Sequence, residues 1–445
     1  MHSPEQVRVG PTRRDLAWLF SERLLRLFVT FIVLALAARV FGPDGFGSFA
    51  FATAMTGIIT NFCALGIKQV ALIRVIQHPS TALQTITTIA ANQCLVSFLC
   101  IGLVLCLTTL TSVIDQRAAD ILSILILSVT FSFHLAFIYW LESQGCAGLI
   151  AQRQIVAIVI SFPLKAFAIL KLQSLLWLAF FVTTEQAFLA FSLLSVARSR
   201  GFIYASFKVA FIRSVETLKE SLPHLLSASL TIFIFKAPQL FLTSLRSDYE
   251  GGLYSAAAAI SEAAYTLPMV LTTLYFPSLI KKWATKGSKF TAVHRYLRDL
   301  LVINLMATLA IAFAADILIT FAYGPTYASA ANTLTLHAFT IPFIAMSLVT
   351  SRILLINKLE HHTLYRNIAG AMIVTITSVI FIPVYGLIGA AGCSLFTTFV
   401  IYYLYDLCFT ETRFIFIANN RAIGAGPKRV IEMTRKVALL IRKFR

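Results

Sequence analysis

Apolar runs of roughly twenty residues follow one another along the whole chain, separated by short polar or glycine- and proline-bearing segments. A helix needs about 20 such residues to cross the hydrocarbon core of a bilayer. The pattern predicts twelve spans, at 16–39, 46–70, 83–110, 120–142, 148–170, 174–197, 224–245, 252–280, 300–322, 332–356, 364–384 and 386–410. The expected fold is therefore an all-α integral membrane protein. The first two spans form one stretch, DLAWLFSERLLRLFVTFIVLALAARVFGPDGFGSFAFATA, in which Gly42, Pro43, Asp44 and Gly45 make a turn between them. Prolines inside the runs (Pro163, Pro238, Pro268, Pro277, Pro342) predict kinks, because each lacks a donor and crowds the preceding turn. Pro238, Pro268 and Pro342 are the hinge candidates, and Pro238 should break its helix by releasing the Ile234 carbonyl.

Composition excludes a water-soluble domain. Of 445 residues 58% are hydrophobic and the mean hydropathy is +0.82, where soluble domains have about 45–50% apolar residues. The net charge of +18 is a topology signal. With a cytoplasmic N-terminus, 29 of the 37 Lys and Arg residues fall in or beside loops on the inner side, and only Arg39, Arg117, Lys171 and Arg246 lie outside. That asymmetry places both termini in the cytoplasm, and it removes nucleic acid as a partner. Seven cysteines lie in or beside spans without a CxxC pair or metal-ligand spacing and read as small apolar fillers. The first span is too long for a cleavable signal and acts as an anchor. Trp18, Trp140, Trp177 and Trp283 lie near span ends, where indoles settle at the membrane interface.

The organisation expected is a cytoplasmic lead (1–15), six spans (16–197), a basic inner loop (198–223), six more spans (224–410) and a basic tail (411–445). At an offset of 205, Gly47, Phe49, Ala52 and Ala54 fall on Gly252, Tyr254, Ala257 and Ala259, which points to two parallel six-helix repeats. Within the tail, 428–445 reads as an amphipathic helix on the anionic inner leaflet.

No enzymatic motif is present: Glu360, His361 and His362 do not make HExxH, and GAGPKR lacks the phosphate-loop spacing. No cofactor or metal is expected. The informative residues are charges inside spans, since each costs roughly 2.5–3.5 kcal/mol at a helix centre unless it meets water or a partner. Arg23 and Arg26 share one face of the first span, Lys165 lies in the fifth and Lys236 near the middle of the seventh, beside Pro238. Glu185, Glu262 and Asp316 are candidates for ion coupling, as pairing partners or proton carriers, and Glu22 is a further acidic counterpart. His134 and His337 suit hydrogen-bonded packing positions.

Four segments carry a family likeness. They are Ala38 to Gly47, residues 251–283, YGPTYASAANTL (323–334) and IPVYGLIGAAGCSL (382–395). In order and spacing they resemble the polysaccharide-unit flippases of the Wzx type, in the multidrug/oligosaccharidyl-lipid/polysaccharide exporter superfamily. The resemblance implies a MATE-like V of two six-helix lobes and alternating access, with spans one and seven near the cleft. It also implies a substrate, a short oligosaccharide on polyprenyl pyrophosphate, moved across the plasma membrane for O-antigen, capsule or exopolysaccharide synthesis. Arg23, Arg26, Lys236 and Lys165 would line the head-group path. H+ or Na+ would drive the cycle, with polymerase or export machinery as partners. Lipid II flippases of the superfamily have fourteen spans and this chain twelve; an ion-coupled drug or cation exporter and a scramblase or assembly scaffold are the alternative readings.

Overall fold

The computed structural model describes residues 12–110, 115–202, 207–283 and 289–425. They are helical, and the chain divides into two compact units: Met1–Lys236 with Ser247–Gly252, and Ala237–Arg246 with Leu253–Arg445.

In the first unit, α1 (Arg13–Cys63) begins where Thr12 and Asp15 cap each other reciprocally, the Asp15 amide donating to Thr12 Oγ1 at 3.2 Å. The helix folds back at Gly42, whose φ of 68° lies in the left-handed region open to glycine. The turn expected at 42–45 is thus present, and α1 contains the first span and the second as far as Cys63; the chain then turns at 64–67, with Leu65 and Gly66 at positive φ, instead of continuing as one helix to residue 70. There follow α2 (Lys68–Gln77), α3 (Ala82–Leu110), α4 (Gln116–Leu125), a 3₁₀ stretch (Ile126–Phe133), α5 (His134–Ser143), α6 (Ala147–Leu170), α7 (Leu175–Ser199) and the larger part of α8 (Phe207–Leu245). One apolar core joins Ile67, Ile86, Phe137, Trp140, Leu193 and Phe202. Trp140, in the last turn of α5, is buried with its ring 5.5 Å from that of Phe202 in an edge contact.

The second unit holds the end of α8, then α9 (Asp248–Ala264) from Leu253 onward, α10 (Thr266–Trp283), α11 (Lys289–Phe313), α12 (Ala315–Tyr323), α13 (Ala330–Ala338), α14 (Thr340–Ile356), α15 (His361–Phe399), a π-helical turn (Val400–Leu404), α16 (Tyr405–Cys408) and α17 (413–425). Its cores gather Leu297, Val349 and Ile415 in one cluster and Leu242, Tyr254 and Ala390 in another. Within α15, Gly386 (φ 51°, ψ −127°) marks the fold between the last two spans, three residues after Pro383.

Nine helices among the described residues are long and apolar enough to cross a membrane. Two of them, Arg14–Cys63 and His361–Cys408, each contain two predicted spans. With the interrupted pair α9 and α10, each predicted span has a helical counterpart among the described residues, the second ending at Cys63. The chain is a multi-pass membrane protein. The amphipathic tail helix expected at 428–445 lies outside the described residues.

Candidate functional site

Three predicted spans of the second unit are interrupted, at Tyr265, Ala314 and Phe339, and the first and last of these interruptions are joined. α9 stops at Ala264 and α10 starts at Thr266; α13 stops at Ala338 and α14 starts at Thr340. At each gap the ladder tightens to an i−3 bond, from the Tyr265 amide to Glu262 O (3.1 Å) and from the Phe339 amide to Leu336 O (3.3 Å). The cause is three residues further on in both cases. Pro268 and Pro342 occupy the first turn of α10 and α14, where a missing amide is tolerated, but each leaves the carbonyl four residues before it without its helical donor. For Pro342 that carbonyl is Ala338 O, and the buried Thr308 hydroxyl of α11 donates to it at 3.4 Å.

Polar side chains tie the gaps together. The Tyr265 and Thr340 hydroxyls lie 2.8 Å apart, Thr340 Oγ1 donates to His337 O at 2.7 Å, and His337 Nδ1 meets Ser261 Oγ at 2.7 Å. Tyr254 stands edge-on to the His337 ring at 5.7 Å and shares a 2.7 Å hydrogen bond with Ser394 of α15. Glu262, partly buried, sits beside Ser261 and acts electrostatically on both Tyr254 and Tyr265. An acidic residue thus lies one turn before a helix break whose hydroxyls are tied to a second break, an arrangement suited to holding a small cation or passing a proton.

The other residues singled out from sequence fall into separate environments. In α6 and α7, Lys165 and Glu185 form an ion pair with side-chain exposures of 12% and 9%, and Ser161 donates to the same carboxylate at 2.6 Å. Lys165 is therefore held by a carboxylate. In α1, Arg26 Nε donates to the nearly buried Glu22 at 2.5 Å, while Arg23 is exposed. Lys236 is partly buried and has its own interactions; Ala237, Pro238 and Gln239 after it are buried. The break expected at Pro238 is absent, since α8 continues through it to Leu245. Asp316 is exposed in the first turn of α12, where a carboxylate complements the helix dipole.

The sequence reading passed over two deeply buried charges. Arg366 and Asp406 are 2% and 1% exposed. The Arg366 guanidinium lies 5.0 Å from the Tyr402 ring centroid and donates to Ser351 at 3.1 Å. Both residues sit within a few positions of predicted span ends, where a charge is ordinarily assigned to the interface.

Comparisons with known proteins agree with this architecture. The family profile described as Polysaccharide biosynthesis protein matches residues 12–283. Among solved structures, the lipid II flippase MurJ in an inward closed conformation is similar at a TM-score of 0.71 and 15% identity, covering 95% of this chain and 93% of its own. An inward-facing multidrug resistance MATE family transporter of the MOP superfamily gives 0.64 and 13%, covering 90% and 99%. A MOP superfamily transporter from Pyrococcus furiosus, described as having a binding pocket of reverse polarity, gives 0.58 and 14%, covering 96% and 100%. No curated protein matches the chain by sequence.

Proposed function

Because the chain belongs to the polysaccharide biosynthesis protein family, we propose that it is a flippase carrying polyprenyl-pyrophosphate-linked oligosaccharide units across the plasma membrane, with both termini cytoplasmic and transport driven by an ion gradient. The observation that carries this reading is the joined pair of helix breaks, with Glu262 in the last turn of α9 beside one of them. Irregular backbone and an acidic side chain inside membrane-crossing segments are tolerated where they line a path for an ion or a substrate. Helical continuity has been given up there twice, and the freed groups are tied to one another by the Tyr265–Thr340 bond.

In this reading Glu262 handles the coupling ion, H+ or Na+. Arg23, Arg26 and Lys236, all in the first unit, meet the pyrophosphate. A pyrophosphate needs cations that can approach it, so the exposed Arg23 carries more of that task than Arg26, which Glu22 already holds. Lys165, neutralised by Glu185, contributes to the path through its fixed geometry. The lipid tail stays in hydrocarbon throughout.

Complementation tests the reading. A host lacking its own flippase, supplied with this gene and a matching oligosaccharide pathway, should regain surface polysaccharide and clear lipid-linked intermediates from the inner leaflet. Intermediates that remain on the inner leaflet despite normal protein level contradict it.

A further inference from the structure

At the far ends of the last two membrane-crossing segments, the second unit brings together three metal-ligating side chains that are distant in sequence. α15 opens with His361 and His362, and the turn after α16 returns the chain so that Glu411 faces them. Glu411 Oε2 lies 3.0 Å from His362 Nε2 and 3.9 Å from His361 Nε2, and the two imidazole centroids are 4.5 Å apart. One ligand atom from each residue lies within 4.8 Å of the others. A tetrahedral cation with donors about 2.0–2.2 Å away holds those donors roughly 3.3–3.5 Å from one another. Small side-chain rotations bring this set to that spacing.

The surroundings fit a metal site. His362 is 5% exposed, and its other ring nitrogen, Nδ1, lies 3.3 Å from the Tyr405 hydroxyl. That contact orients the ring so that Nε2 presents to Glu411, as an outer-shell partner does for a ligating histidine. His361 and Glu411 are 50% and 57% exposed, so the open side admits a metal and leaves room for water as a further ligand. Behind His362 lie the buried Asp406 and Arg366, both electrostatically coupled to it or to one another.

We propose that His361, His362 and Glu411 bind one divalent cation of the zinc class, clamping the start of α15 to the turn that follows α16. Two imidazoles and one carboxylate are borderline donors that favour Zn2+, Co2+ or Ni2+; Mg2+ and Ca2+ require oxygen ligands. The site shares no residue with the Ser261–His337 cluster, so it adds to the transport reading without depending on it.

The test is zinc titration of the purified full chain, freed of any histidine tag, by calorimetry, with Co2+ absorption as a second readout. The wild type should bind one Zn2+ per chain, with a melting temperature that rises on zinc addition and d–d bands of a four- or five-coordinate Co2+ site. His361→Gln and Glu411→Gln, both at exposed positions, should each weaken binding at least tenfold, and the double variant should abolish it. Tyr405→Phe should weaken it about tenfold by loosening His362. Excess Mg2+ should leave the zinc isotherm unchanged. Zinc affinity equal in the wild type and the double variant, no binding by the wild type, or displacement by Mg2+ would each overturn the proposal.

Discussion

Gly47 and Gly252, 205 residues apart, meet backbone to backbone inside the first unit. A Cβ on Gly47 would collide with the Asp248 carbonyl oxygen and one on Gly252 with the Pro43 carbonyl oxygen; Asp248 is itself Pro43 displaced by 205. The remaining distances mirror each other, 2.9 Å to the Gly252 nitrogen and 3.1 Å to the Gly47 nitrogen. The contact is reciprocal, as it would be about a local two-fold axis, and the sequence offset maps each partner onto the other.

Gly47→Ala and Gly252→Ala should therefore each destabilise the protein by about 1–3 kcal/mol or more, because backbone must move to admit a methyl group. Gly57 has no atom within 4 Å of a built Cβ and sits in a helix, so Gly57→Ala should be neutral or mildly stabilising. Thermal unfolding of the purified protein measures all three. Equal melting temperatures for the wild type and Gly47→Ala would remove the close approach.

Beside this contact, Asp248 accepts a hydrogen bond from Ser48, and burial pushes its carboxyl above the ordinary carboxylate value despite that bond. The folded state then holds its proton to higher pH than the unfolded chain does. Stability from this group is greatest at acid pH and declines as pH rises from the ordinary value through the raised one. Asp248→Asn should flatten that part of a melting-temperature profile taken between pH 4 and 8. A wild-type profile that rises over the same window would contradict the assignment.

Lys165→Met should cost about 3–5 kcal/mol, since it strands the Glu185 carboxylate in a nearly dry site. Adding Glu185→Leu should recover most of that stability. The transport assay on the double variant then separates roles: retained transport makes the pair structural, and lost transport at normal stability places it in the substrate path.

Thr308→Val should cost about 1 kcal/mol by orphaning the Ala338 carbonyl. Adding Pro342→Ala should restore that loss, because residue 342 regains the amide that bonds to it. The same straightening of α14 should reduce transport at least tenfold, as the Tyr265–Thr340 link depends on the break. Undiminished transport in a stable Pro342→Ala protein would show that the break is dispensable.

Much of this was legible in the chain. The turn at Gly42 to Gly45 was visible because glycine and proline act locally, whereas the 205-residue offset marked Gly47 and Gly252 as matching positions of a repeat and not as a contact. Pro268 and Pro342 signalled irregular helix, but Pro238 carries the same signal and α8 runs on through it, since packing decides whether a proline breaks a helix. What sequence could not supply was pairing across distance. Lys165 and Glu185 stand on neighbouring helices, and His362 reaches a Glu411 that lies 49 positions away. Arg366 and Asp406 escaped notice near span ends because depth in the folded unit is set by the helices around them.

The most direct test is translocation of a fluorescent polyprenyl-pyrophosphate oligosaccharide in liposomes holding the purified protein, with the lipid scored on each leaflet. The wild type should move it under an imposed ion gradient while cationic dyes stay put; Lys236→Gln should lose transport at unchanged stability, and Glu262→Gln should lose its dependence on the gradient. Dye movement without oligosaccharide movement, or full transport in Lys236→Gln, would contradict a flippase that grips the pyrophosphate through its first unit.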